Sequence, residues 1–212
     1  MELTTTPERE RHAKALAARL SGRVVVDGTL RPALTDERFP VENPATGEAI
    51  GMAARCGQPD VERAVAAAAG AFAAWATLPH RQRSTILLRA AAALEAEMES
   101  LACLSALETG NAIATQTRGE ARTMVDILRY FAGFAGEAKG KTVPLTERRF
   151  LFTRRVPVGV VGAIIPWNAP LMQTTSKLGP ALAAGNTVVL KSAEQAPLAV
   201  LRIFEILQGI LP

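Results

Sequence analysis

The stretch from residue 156 to residue 195 constrains the fold of this chain more than any other part of it. It contains an apolar, β-branched run at residues 158–165, a helix-length segment at 171–185 and a second apolar run at 187–190. Two parallel strands need a crossover connection of about this length, and a helix usually supplies it. The order of the three segments therefore predicts a β-α-β unit.

The two apolar runs are expected to be neighbouring strands of a buried parallel sheet. Neither run alternates between apolar and polar residues, which is typical of strands covered on both faces, as in a doubly wound sheet. In such sheets ligands bind in the crevice beyond the carboxyl ends of the strands. Those ends are followed by Pro166, Trp167 and Asn168 in one case and by residues 191–194 in the other. We therefore expect any chemistry at these two turns.

The rest of the chain predicts helices, a small antiparallel β ribbon near the start and one further strand. Asp27-Gly28 and the turn-forming segment 42–48 predict chain reversals between extended pieces. Alternating charged and apolar residues at 147–155 predict a half-exposed strand. Asp60 is expected to cap the helix that follows it. Apolar residues at helical spacing predict helices at residues 6–20, 59–76, 83–107, 115–138 and 197–211.

Composition and charge exclude several classes of partner and location. The net charge of +4, from 24 basic and 20 acidic side chains, is too small and too dispersed for a nucleic acid partner. No apolar run is long enough to span a membrane, and the acidic, polar segment 1–10 is unlike a secretory signal. Two cysteines exclude a disulfide framework and suit a reducing compartment. A cytoplasmic protein is expected.

Several ungapped blocks closely resemble the NAD(P)-dependent aldehyde dehydrogenase family. They are Pro157-Val-Gly-Val-Val-Gly-Ala-Ile-Ile-Pro-Trp-Asn-Ala-Pro, the segment 177–186, Lys191-Ser-Ala-Glu-Gln-Ala-Pro, and shorter matches at 43–48, 108–110 and 129–133. The likeness runs from about residue 24 onward. It implies an α/β fold, the N-terminal part of the aldehyde dehydrogenase fold, with an incomplete doubly wound parallel sheet, preceding helices and a small β ribbon. Residues 1–212 would be a partial NAD-binding domain with an oligomerisation β segment at about 144–155.

The resemblance gives the first turn a role in catalysis and cofactor binding. Asn168 matches an oxyanion-hole residue, and an amide NH2 on a turn held by prolines is a suitable neutral donor. The alternative is a turn asparagine that bonds its own backbone. Ile164, Ile165, Pro166 and Trp167 would line the nicotinamide side of a bound NAD. Without the resemblance these residues would be interpreted as the buried end of a strand.

The second turn is implied to hold the adenosine half of NAD. Lys191 and Glu194 match residues that bond the adenine ribose hydroxyls, and a carboxylate there would repel a 2′-phosphate, which favours NAD over NADP. Ser192 replaces the proline that is usual in the family and leaves the loop less rigid. Lys177 matches a lysine assigned to a charge relay in relatives. An exposed helix lysine is an equally good interpretation.

Three hypotheses follow about function. In the family a cysteine thiolate attacks the aldehyde, hydride passes to NAD, and a glutamate-activated water releases the carboxylic acid. Neither Cys56 nor Cys103 matches that nucleophile, so we expect the catalytic domain, with its cysteine and glutamate, beyond residue 212 and no activity from this chain alone. The first hypothesis is an NAD-dependent aldehyde dehydrogenase, homo-oligomeric in its full-length form. The second is a truncated, non-catalytic subunit-interaction partner. The third is a helical interaction module whose β-α-β likeness is incidental.

Overall fold

The computed structural model describes residues 5–211, so part of the polar N-terminal segment 1–10 lies outside the described residues. These residues form seven α-helices, eight strands and one π-helical turn. The elements in chain order are α1 Pro7–Leu20, β1 Arg23–Val26, β2 Thr29–Pro32, β3 Arg38–Glu42, β4 Ala49–Ala54, α2 Gln58–Thr77, α3 His80–Ala96, α4 Met98–Thr109, the π-helical turn Ile113–Thr117, α5 Arg118–Phe134, β5 Thr142–Thr146, β6 Arg149–Phe152, β7 Val160–Ile164, α6 Pro170–Ala183, β8 Thr187–Lys191 and α7 Leu198–Ile206.

The predicted β-α-β unit is confirmed. Strands β7 and β8 pair in parallel, with Val160 opposite Thr187 and Ile164 opposite Lys191. Helix α6 is the crossover between them. Asn186, at the start of β8, accepts hydrogen bonds through Oδ1 from the backbone N–H groups of Val158 (2.7 Å) and Gly159 (3.2 Å). This side chain ties the entry of β7 to that of β8 and so supports the parallel register.

The incomplete parallel sheet that the resemblance implies is confirmed. Within the described residues β7 and β8 form a two-stranded sheet. Ala163 and Thr187 are buried, whereas Ile164 is 76% exposed. Helices α2 and α6 both contact β8, but no further described strand lies beside the pair. An apolar run predicts a strand but does not itself supply the layers that bury it.

The core lies among the helices. Helix α5 packs against α3 and α6, and α1 packs against α4 and the ribbon strand β4. Burying each large apolar side chain contributes about 1.5–3 kcal/mol. The largest buried side chains are Trp75, Leu20, Leu87, Leu94, Leu101, Leu104, Met124, Leu128, Leu171, Leu198, Ile203 and Val41. No helix within residues 5–211 is both long and apolar enough to cross a bilayer.

Two helix predictions are corrected in detail. The single helix predicted at 83–107 is two helices, α3 and α4, separated at Glu97, whose backbone has φ −110° and ψ 11°. The surrounding residues are good helix formers, so only packing reveals this break. Asp60 is not the cap residue of α2. The cap is Gly57, and the buried Asp60 carboxylate accepts hydrogen bonds from the N–H groups of Gly57 (3.4 Å) and Leu34 (2.8 Å).

The ribbon prediction is confirmed and extended. Two antiparallel ribbons, β1–β2 and β3–β4, lie near the start, where one was expected. The turn between β1 and β2 contains Asp27 with φ 53° and Gly28 with φ 63°. Two consecutive positive φ angles are what the favoured two-residue hairpin turn requires, and Asp-Gly is suited to them.

The strand predicted at 147–155 exists as β6, but its predicted half-burial is wrong. It pairs with β5 as a third antiparallel ribbon, and every residue of both strands is exposed. Phe150 and Phe152 are 69% and 67% exposed. The alternating residues therefore do form a strand, but no other described element packs against the side of the ribbon that carries the two phenylalanines.

Candidate active site

The two turns singled out from the sequence leave the same edge of the β7–β8 sheet. Ile164 lies opposite Lys191, and the N–H of Ile165 donates to the Lys191 carbonyl at 3.1 Å. The turn at 166–169 and the loop at 192–197 therefore start from adjacent positions. This is the arrangement in which a parallel sheet forms a ligand crevice.

Asn168 lies in the turn between β7 and α6 with its side chain exposed. Its amide makes no hydrogen bond to another described residue, so it is not the self-bonding turn asparagine considered from the sequence. Its backbone carbonyl accepts a hydrogen bond from Asn111 Nδ2 at 2.9 Å. The NH2 group is thus available as a donor, while the backbone that carries it is anchored from outside the turn.

The start of α6 is anchored by a buried carboxylate. Glu120 Oε1, on α5, accepts hydrogen bonds from the backbone N–H groups of Leu171 (2.6 Å) and Met172 (3.2 Å). Burial raises the pKa of Glu120, against the lowering effect of these two backbone donors. The first N–H groups of a helix have no partner within that helix, and here Glu120 provides one.

The residues predicted on the nicotinamide side do not share one environment. Ile165 is 2% exposed and belongs to the core. This matches the interpretation of these residues as the buried end of a strand. Ile164 and Trp167 are instead largely exposed, at 76% and 48%, and Pro166 is exposed as well. These three residues therefore present an apolar surface at the edge of the sheet, beside Asn168.

Lys191 and Glu194 lie together on the second turn. The distance from Lys191 Nζ to Glu194 Oε1 is 3.7 Å, and Nζ also donates to the Ser192 carbonyl at 3.2 Å. Both charged side chains are more than half exposed, so their mutual attraction contributes little to stability. An ammonium and a carboxylate held this way can donate to and accept from vicinal hydroxyl groups. Ser192 is half-buried.

Lys177 lies on helix α6, which follows the first turn. It lies seven residues after Pro170, the first residue of α6, which places it about 10 Å along the helix axis from the Asn168 turn. Its side chain is exposed. The charge-relay role that the resemblance implies for Lys177 stays a prediction.

Both cysteines lie away from the two turns. Cys56 is in the segment between β4 and α2, and Cys103 is buried in α4, with Sγ 3.5 Å from Thr5 Oγ1. Burial raises the pKa of both thiols. A raised pKa disfavours the thiolate, which is the nucleophilic form of cysteine.

The sequence analysis also missed the buried carboxylate of Glu108, in the last turn of α4. It is 2% exposed, and its two oxygens accept hydrogen bonds from the N–H groups of Leu198 (2.8 Å) and Ala199 (2.9 Å) in the first turn of α7. Burial raises its pKa to about 8, although the two backbone donors lower it. The only signal in the sequence was the Glu108-Thr-Gly motif, which does not reveal the partner helix.

Comparison with known proteins decides the family. The model of the aldehyde dehydrogenase family matches residues 32–212. This chain belongs to the aldehyde dehydrogenase family. The mitochondrial aldehyde dehydrogenase of Equus caballus is 40% identical over 184 residues, which are 85% of this chain and 37% of that protein. The chain thus spans little more than a third of the length of the curated relatives it matches.

Solved aldehyde dehydrogenase structures and related ones share the fold described above. HpcC from Thermus thermophilus superposes with a TM-score of 0.91 at 36% identity, over 96% of this chain and 39% of that one. Betaine aldehyde dehydrogenase from Staphylococcus aureus, solved in complex with NAD+, has a TM-score of 0.89 at 30% identity, over 95% of this chain and 41% of that one. The family match and the parallel β7–β8 pair exclude the hypothesis of an incidental β-α-β likeness in a helical module.

Proposed function

We propose that residues 1–212 are part of the NAD-binding domain of an NAD-dependent aldehyde dehydrogenase, an enzyme that oxidises an aldehyde to a carboxylic acid. The observation that carries this proposal is the shared sheet edge, where Asn168 follows β7 and Lys191 ends β8. The NAD+ complex of the related betaine aldehyde dehydrogenase supports NAD as the cofactor. When bound, NAD supplies the hydride acceptor of the reaction.

The residues at the second turn fit the adenosine half of the dinucleotide. The exposed Lys191 ammonium and Glu194 carboxylate, 3.7 Å apart, offer a donor and an acceptor to the two ribose hydroxyls. The negative charge of Glu194 opposes a 2′-phosphate, so NAD is preferred over NADP. At the first turn, the exposed faces of Ile164, Pro166 and Trp167 offer apolar contact toward the nicotinamide half. Ile165 supports them from the core.

Asn168 is proposed to stabilise the oxyanion that forms when a nucleophile adds to the aldehyde carbonyl. A neutral NH2 donor on an anchored turn needs little reorganisation as negative charge develops on the oxygen. Cys56 and Cys103 lie away from this turn. We therefore propose that a thiolate from sequence outside this chain is the nucleophile and that the 212-residue chain does not oxidise aldehydes alone. NADH formation by the purified chain with an added aldehyde would contradict this.

The exposed ribbon β5–β6 is proposed as a contact between subunits of a homo-oligomer, in line with the oligomerisation segment expected at about 144–155. All nine residues of its strands are exposed, including Leu145, Phe150 and Phe152 at 60–69%. Exposed apolar patches of this kind are typical of interaction surfaces. A cytoplasmic location is proposed as well, because both cysteines are free thiols, as expected in a reducing compartment.

Calorimetric titration with NAD and with NADP tests the cofactor assignment. We expect the chain to bind NAD weakly, with a Kd of about 1 mM, and NADP more weakly still. The Glu194→Gln variant removes the charge that opposes the 2′-phosphate, so the preference for NAD should fall about tenfold, the effect of about 1.4 kcal/mol. Asp36→Asn, a matched change at an exposed acid between β2 and β3, should leave the preference unchanged. Failure to bind NAD would refute the proposal.

A further inference from the structure

The turn that carries Asn168 is held by two side chains that do not belong to the β-α-β unit. One is Glu120, near the start of α5, and the other is Asn111, in the segment between α4 and the π-helical turn. They lie 51 and 57 residues away in sequence from the groups they bind. Both act on the backbone that follows the Asn168 side chain: Asn111 binds the Asn168 carbonyl, and Glu120 binds the N–H groups at the start of α6.

Glu120 restrains the end of the turn that leads into α6. Its Oε1 accepts both the Leu171 and the Met172 N–H, whereas Oε2 is buried without a hydrogen-bond partner among the described residues. Only one oxygen therefore holds the helix start. Because Glu120 is only 8% exposed, water does not readily replace this oxygen as an acceptor.

Asn111 restrains the Asn168 residue itself. Its Nδ2 donates to the Asn168 carbonyl at 2.9 Å, and its own backbone N–H donates to Thr109 Oγ1 at 3.2 Å. The preceding Gly110 ends α4 with φ 74° and lies against Pro44, where an added Cβ would approach the proline ring to 2.7 Å. The position of Asn111 is therefore determined by a rigid helix end rather than by the turn that it contacts.

We propose that Glu120 and Asn111 are positioning residues for Asn168, holding its backbone so that the amide NH2 stays aimed into the crevice. This role rests on the proposed function of Asn168 as an oxyanion donor. Both act through the backbone that follows the Asn168 side chain. An oxyanion donor is effective only when its direction is set before the reaction.

Backbone NMR of the purified chain tests the proposal through the order parameters of residues 167–169 and the hydrogen exchange of Leu171 and Met172. In the unaltered chain the order parameters should be about 0.85. Glu120→Ala should speed exchange of the two amides about tenfold or more, because a buried acceptor is lost. Asn111→Asp keeps the side-chain shape but replaces the donor by an oxygen. It should lower the order parameters at residues 167–169 toward about 0.6.

The conservative variant Glu120→Gln separates positioning from general stability. Since one oxygen accepts both N–H groups, glutamine can present the same acceptor, and exchange at Leu171 and Met172 should return to within about twofold of the unaltered chain. Asp60→Ala is the matched control, because it removes a buried carboxylate that binds the N–H groups of Leu34 and Gly57. It should affect exchange there and leave residues 167–172 unchanged.

The proposal is overturned if Asn111→Asp leaves residues 167–169 as rigid as before, or if Asp60→Ala loosens them equally. Asn111 is at an exposed hydrogen bond, so its variant provides a folded test even if Glu120→Ala does not fold. The measurement requires no nucleotide. Failure of the NAD titration would therefore refute the proposed function while leaving this result unaffected, and the two failures can be told apart.

Discussion

Replacing Glu108 by glutamine should change the stability of the chain by an amount whose sign depends on pH. Each oxygen of Glu108 accepts one N–H from the first turn of α7, at 2.8 and 2.9 Å, and the side chain is 2% exposed. Glutamine replaces one of these oxygens by an NH2 donor, which then faces a backbone donor. The loss of one hydrogen bond at this buried site should cost about 1 kcal/mol at a pH where Glu108 is protonated.

The pH dependence follows from the raised pKa of Glu108. Burial, opposed by the two backbone donors, raises this pKa from 4.5 to about 8. The folded chain therefore binds the proton more tightly than the unfolded chain. The resulting stability is fully present below about pH 4.5 and is lost as the pH rises to about 8, at about 1.4 kcal/mol per pH unit and up to about 5 kcal/mol in total. The glutamine side chain does not ionise, so the variant lacks this dependence of stability on pH.

Urea unfolding followed by far-UV circular dichroism, at several pH values between about 4 and 9, measures this effect. Glu108→Gln should be less stable by about 1 kcal/mol at about pH 4, equally stable near about pH 5, and more stable by about 3 kcal/mol at about pH 8. Glu62→Gln makes the same chemical change on the exposed surface of α2 and should show no such crossing. A difference between the unaltered chain and Glu108→Gln that stays constant across this range would refute the reasoning.

Three smaller predictions concern the core, a helix end and the second turn. Trp75, 1% exposed, donates through Nε1 to a backbone carbonyl of α6 at 3.1 Å, so Trp75→Phe should cost about 1–3 kcal/mol in urea unfolding. Gly110→Ala should lower the melting temperature, because φ is 74° and the new Cβ would meet Pro44 at 2.7 Å. Gly70→Ala should raise the melting temperature, because this position lies within helix α2 and a new Cβ there would meet no other atom. Glu194→Gln should change the free energy of unfolding by less than about 0.5 kcal/mol, because its ion pair is exposed; a larger loss would mean that this turn is structural.

Much of the local structure could be predicted from the sequence because its causes act within a few residues. Apolar runs and helical spacing located the β-α-β unit, and its two neighbouring parallel strands placed the turns with Asn168 and Lys191 at one sheet edge. The Asp27-Gly28 dipeptide located a hairpin, since these residues tolerate the two positive φ angles of its turn. The break at Glu97 could not be predicted, because good helix formers surround it, while α3 packs against α5 and α4 packs against α1 and α7.

The sequence by itself determined where most of the strands and helices lie and which side chains stand at the two turns. Only the tertiary structure decided that Glu108 and Glu120 are buried, since each is a carboxylate on a helix and its N–H partners lie 90 and 51 residues away along the chain. A charged Glu108 in the last turn of α4 would also be unfavourable for its own helix, whose C-terminal end carries partial negative charge. The burial of Glu108 is explained by the start of α7, which packs beside it. The first N–H groups of α7 have no partner within that helix, and the Glu108 carboxyl group accepts hydrogen bonds from two of them.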